Sequence, residues 1–109
     1  MGGETKHRRI DFRRINTAAL GAAESILRRW LPDGRVIGAE YTARNPTRPD
    51  HKAGSFKINM KTGKWGDFAT GDRGGDLIAL GAYLFNMGQG ETALLMAEML
   101  GVDPHEGGS

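Results

Sequence analysis

The chain has 109 residues, enough for one domain with a core of its own, and its apolar and charged fractions of 39% and 26% are ordinary for a globular protein. It has no cysteine, which excludes a disulfide framework and any thiolate metal site. No apolar run approaches the roughly 18–20 residues of a membrane span, and the basic start MGGETKHRRIDFRR leads into no signal-type segment, so a cytoplasmic location without membrane contact is expected. The net charge of +2 conceals a polarity. Residues 1–74 hold all fifteen Lys and Arg against eight acids, and residues 75–109 hold five acids and no Lys or Arg. That distribution suits contact with a polyanion through one end.

In chain order, residues 1–14 lack clear periodicity and read as a flexible basic arm. Asn16 or Thr17 can cap a helix running to about Trp30, along which Leu20, Ala23, Ile26, Leu27 and Trp30 build one apolar stripe. Pro32, Asp33 and Gly34 stop that helix. Arg35 to Ala43 reads as a strand, followed by a polar loop from Arg44 to Gly54. Ser55–Met60 and Lys64–Phe68 read as a hairpin joined by the three-residue loop Lys61-Thr62-Gly63, with Gly63 in the left-handed position. In that register Phe56 faces Phe68 and Ile58 faces Gly66 on one side, while Lys57 faces Asp67 and Asn59 faces Trp65 on the other. A glycine-rich turn, Gly71 to Gly75, leads to Asp76 as the cap of a short buried helix from Leu77 to Phe85. Glu91 to Leu100 forms a last amphipathic helix ended by Gly101, and residues 103–109 read as a disordered tail.

The ordered pieces Asn45-Pro46, Gly54-Ser55-Phe56-Lys57-Ile58, Trp65, Asp67-Phe68-Ala69-Thr70-Gly71 and Gly75-Asp76-Leu77-Ile78 together resemble the zinc-binding domain at the N-terminus of bacterial and phage DNA primases. The resemblance spans roughly residues 35–101, within a module expected over 15–102. It implies an α+β fold: a small twisted antiparallel sheet of three to five strands, zinc-ribbon-like, flanked by one N-terminal and two C-terminal helices. The departures fall on the metal. Where the family keeps its four ligands, this chain carries Asn45, Arg48, Asp67 and Thr70. A structural zinc site wants four thiolate or imidazole donors and Arg is no ligand, so this reading excludes zinc. A polar cluster is expected in its place, with Asp67 accepting from Arg48 while Asn45 and Thr70 bond nearby backbone.

The predicted register sets Ser55, Lys57, Asn59, Trp65 and Asp67 on one face, with Arg44, Arg48, His51 and Lys52 in the preceding loop. Lys61 and Lys64 flank the turn, and Arg73 lies at the tip of the glycine turn. Cations that track phosphates beside an indole that stacks on a base are what a single strand requires. The resemblance implies that this sheet holds single-stranded or template DNA, in a primase- or helicase-associated replication protein of a plasmid, phage or related element. The glycine turn lacks the spacing of a phosphate-binding loop, the carboxylates Asp67, Asp72 and Asp76 have no spacing that requires magnesium, and no nucleophile–base pair stands out. No cofactor is expected, and catalysis is expected of a separate primase or helicase domain. The competing reading is a protein-interaction module derived from the same fold, with the apolar C-terminal helices docking a partner or a second copy.

Overall fold

A computed structural model describes residues 9–48 and 54–107. Two helices, α1 (Phe12–Gly21) and α2 (Ala23–Trp30), precede the strands β1 (Arg35–Ile37), β2 (Glu40–Ala43), β3 (Phe56–Asn59), β4 (Trp65–Asp67) and β5 (Arg73–Gly74). The helices α3 (Leu77–Phe85) and α4 (Gln89–Leu100) follow. The strands form one antiparallel sheet in chain order, β1-β2-β3-β4-β5. The α+β class, the sheet and the helices on either side of it in sequence agree with expectation. No described helix is long and apolar enough to cross a membrane.

Alternation along the strands divides the sheet. Tyr41 and Ala43 of β2, Phe56 and Ile58 of β3 and Trp65 of β4 point inward. They join one core with Ile15, Ala19, Ile26 and Leu27 of the first two helices, Leu77, Ile78 and Leu80 of α3, and Ala93, Met96 and Ala97 of α4. The other face of the sheet is open.

Several local expectations change. The single N-terminal helix is divided at Ala22, where the backbone leaves helical geometry (φ −123°, ψ 26°) just after Gly21. The true cap of α1 is Asp11, whose side chain accepts from the Arg14 amide at 2.9 Å. Asn16 caps a different helix: its Oδ1 accepts from the Ile78 amide at 3.3 Å, satisfying a donor at the start of α3. Residues 9–14 are therefore not an arm, nor are residues 103–107 a loose tail. Ile10 bridges His105, the Asp11 amide donates to Pro104 O at 2.8 Å, and Arg14 Nη1 donates to the carbonyls of Asp103 and His105. Residues 1–8 and 108–109 lie outside the described residues.

The strand expected over Arg35–Ala43 is a hairpin. Gly38 adopts φ 62° and reverses the chain, pairing Ile37 with Glu40. The next hairpin carries the largest correction. Asn59 Oδ1 accepts from the amides of Lys61 and Thr62 at 2.8 and 3.0 Å, and the Gly63 amide donates to Asn59 O at 2.8 Å. This side-chain-nucleated turn takes in Met60 as a fourth loop residue, so Asn59 pairs with Lys64. The register becomes Phe56 with Asp67, Lys57 with Gly66 and Ile58 with Trp65. A slip of one residue exchanges the faces of the whole strand. Trp65 and Asp67 go in; Gly66 and Phe68 go out.

Candidate nucleic-acid interface

Trp65 is the first residue the register decides. It is 7% exposed, its ring centroid lies 4.9 Å from that of Tyr83 and 6.1 Å from that of Phe56, and its Nε1 donates to Asp76 O at 3.1 Å. Both its apolar body and its polar edge are engaged by the core. The expected base-stacking role of Trp65 is therefore wrong; the indole is a packing element between sheet and α3.

Phe68 takes the exposed aromatic position instead. It is 79% exposed, and the Lys57 ammonium stands 5.7 Å from its ring centroid. Around it the outer face is built by register. One row crosses all five strands as Arg35, Thr42, Lys57, Gly66 and Arg73. At the spacing of adjacent strands, Arg35 and Arg73 are about 19 Å apart with Lys57 near the midpoint. Gly66, with no side chain, keeps the surface low between Lys57 and Arg73; a Cβ there would be in ordinary contact with the Arg73 Cβ, at 3.6 Å. A parallel row holds Ile37, Glu40 and Asn59 and continues to Lys64. A concavity of about 420 Å³ is bounded by Glu40, Lys57, Asn59, Lys64 and Phe68. A second, of about 550 Å³, involves Arg35, Ile37, Thr42 and Arg44. Glu40 and Asp33 are the acids on these rims.

The residues expected at the interface thus separate. Lys57, Lys64 and Arg73 share the outer face, and Arg44 adjoins it beside Arg35. Lys61 is exposed at the hairpin tip. Asn59 lines the concavity, with its carbonyl held in the turn. Ser55 and Arg48 are directed to Asp67 instead. His51 and Lys52 lie outside the described residues. Arg35 and Phe68 were not anticipated. Gly38 was the sequence signal for the first and Asn59 ahead of the loop for the second, because each fixes a turn and hence which side chains share a face.

Beneath this sheet, the four positions matching the family's metal ligands do converge. Asn45 Nδ2 donates to Asp67 Oδ2 at 2.8 Å and to Tyr83 Oη at 2.7 Å, while its Oδ1 accepts from the Thr47 amide and hydroxyl at 3.0 and 2.7 Å. Asp67, 2% exposed, also accepts from the Ala69 amide at 2.8 Å. Arg48 Nη1 is 3.9 Å from Asp67 Oδ2, a single long contact rather than the expected clasp. Thr70 is exposed, its Oγ1 accepting from the Asp72 amide at 3.1 Å. Tyr83 completes the chain by donating to Asp72 Oδ2 at 2.8 Å. The polar cluster exists, centred on Asn45 and extended by Thr47 and Tyr83.

Burial alone would raise the Asp67 carboxyl. Hydrogen bonds from Asn45, the Ala69 amide and Ser55, with the Arg48 charge, outweigh it and hold the group below its ordinary value. This donor set does not fit zinc: Asn45 presents its amide hydrogens to Asp67, both carboxylate oxygens are occupied by N–H donors, and Arg48 adds a cation. The acidic trio is dispersed, with Asp76 capping α3 by accepting from the Ala79 amide at 2.8 Å. Among the described residues no group of three or more His, Cys, Asp or Glu is placed to hold a metal.

No protein-family model matches the sequence, and no curated protein matches it. By structure the chain is similar to the Aquifex aeolicus primase, comprising its zinc-binding and RNA polymerase domains, with a TM-score of 0.66 at 20% identity. The match covers 87% of this chain and 22% of that one. The α+β fold is consistent with a primase zinc-ribbon-like fold, and here the knuckle is closed by hydrogen bonds.

Proposed function

We propose that the chain is a nucleic-acid-binding module that holds single-stranded or template DNA across the outer face of its sheet. In this reading it serves a replication protein in the cytoplasm, beside a separate catalytic primase or helicase domain, and contributes binding rather than chemistry. The supporting observation is the row Arg35, Lys57 and Arg73 crossing five strands, with Phe68 exposed next to Lys57. A strand laid along that row meets three cations, and an unstacked base finds one accessible ring. The similarity to a primase structure favours a replication context for the same surface.

The test is anisotropy of a labelled oligothymidylate titrated with the protein at about 50 and about 200 mM salt. Three phosphate contacts give a log–log salt slope near −2, at about −0.7 per contact on a single strand. Replacing Arg35, Lys57 and Arg73 together by Gln should flatten that slope and leave the melting temperature in place. Absence of binding at the lower salt, or an unchanged slope in the triple variant, overturns the proposal.

A further inference from the structure

The helical side carries a second surface, away from the row of cations. Trp30, Phe85, Met87, Leu95, Met96 and Met99 line a groove of about 310 Å³ between the end of α3 and α4. Phe85 and Leu95 are 51% and 53% exposed, and Leu94 and Met99 are exposed beside them. The groove floor is fixed. Trp30 meets Phe85 edge-on at 5.6 Å between centroids, and its ring reaches to within contact of where a Cβ on Gly81 would sit. Its walls include three methionines, whose unbranched side chains conform to varied apolar shapes. Adjoining exposed apolar side chains of this kind mark a contact surface.

Charge selects the occupant. On α4, Glu91 and Glu98 are exposed on the face that carries Leu94, Leu95 and Met99, and residues 75–109 contain no Lys or Arg. Arg29 of α2 stands near Met99 and Leu100 at one end. A second copy of the chain would bring the same two glutamates to the contact, setting like charges together. Residues 1–8 supply cations but, apart from Met1, no large apolar side chain to fill the groove.

The geometry points to a docking site for an amphipathic helical segment of another protein or domain, apolar on one stripe and basic on its flanks. The stripe enters between Phe85 and Met99, and its Lys or Arg residues meet Glu91 and Glu98. The inference stands apart from the nucleic-acid reading because it uses the helices and not the outer sheet face.

The probe is a synthetic peptide of about five helical turns, with Leu along one stripe and Lys on the flanks, and a twin with Glu replacing Lys. Each is titrated into the isotopically labelled full chain while amide and Trp30 indole resonances are followed. The Lys peptide should shift resonances of α4 and the end of α3, and bind at least about fivefold more tightly than the Glu peptide. In the protein carrying Glu91→Lys and Glu98→Lys that preference should reverse, and Leu95→Gln should weaken both peptides with the melting temperature retained. Equal affinity for the two peptides, shifts spread over other surfaces, or dilution-dependent shifts of α4 in the protein alone each overturn the assignment. The last result would identify a second copy as the occupant.

Discussion

Replacing Asn45 by Ala tests what closes the knuckle. The side chain makes four hydrogen bonds, and three of the groups involved lie in Thr47 and Tyr83, which solvent can reach. Water can substitute there at little cost. The fourth cannot be replaced so easily, because the Asp67 carboxylate is fully buried and loses its 2.8 Å donor. A hydrogen bond to a charged acceptor contributes about 1.5–3 kcal/mol, and stranding that acceptor carries a penalty of the same order. The expected loss is about 2–3 kcal/mol, or about 10–20 °C in melting temperature for a domain of this size. Arg48→Ala is the internal comparison. Its guanidinium is 3.9 Å from the same oxygen and a quarter exposed, which makes it worth under about 1 kcal/mol. Thermal unfolding of both variants, followed by circular dichroism at neutral pH, gives the order directly. If Arg48→Ala costs as much as Asn45→Ala, or if Asn45→Ala melts with the parent, the amide is not the clasp.

Acid should act on the same group: because Asp67 is held below its ordinary value of 3.8, the unfolded state binds its proton first as pH falls. Its contribution is complete above that value and is lost as pH drops through the lower folded-state value, so Asp67→Asn should flatten the acid side of a stability–pH curve measured by urea unfolding. Because the donor set does not suit zinc, neither a chelator nor added zinc should move the melting temperature; a rise of several degrees with zinc would show a site that the hydrogen bonds exclude. Trp65→Ala should destabilise by about 3–5 kcal/mol as a core truncation, and Gly74→Ala should also destabilise, since its Cβ would lie 2.4 Å from Trp65 Cζ2; unchanged denaturation midpoints in both would contradict the buried indole. Phe68→Ala should melt like the parent yet bind oligothymidylate about tenfold more weakly; equal affinity would remove Phe68 as the stacking platform.

What the sequence determined was local. The apolar stripe of Ile26 and Leu27, the Asp76 cap, the left-handed Gly63 and the strand character of β3 and β4 follow from residue type and period. The ordered motifs also led to the primase-type fold and to the four positions that meet at the knuckle. The stripe, the cap, the glycine turn and the strand character depend on neighbours within a turn or two of the chain, whereas the fold and the knuckle positions were reached through the order of motifs along it. Tertiary structure decided which face each side chain takes. The Asn59 turn adds one residue to a loop, and that count, invisible to alternation, moves Trp65 into the core and Phe68 onto the surface. Gly38 divides one run into two strands and so brings Arg35 into line with Lys57 and Arg73, which are distant in sequence. Tyr83 joins Asn45 across 38 residues, a contact no periodicity encodes, because a buried amide takes whichever acceptor the packing of α3 against the sheet delivers.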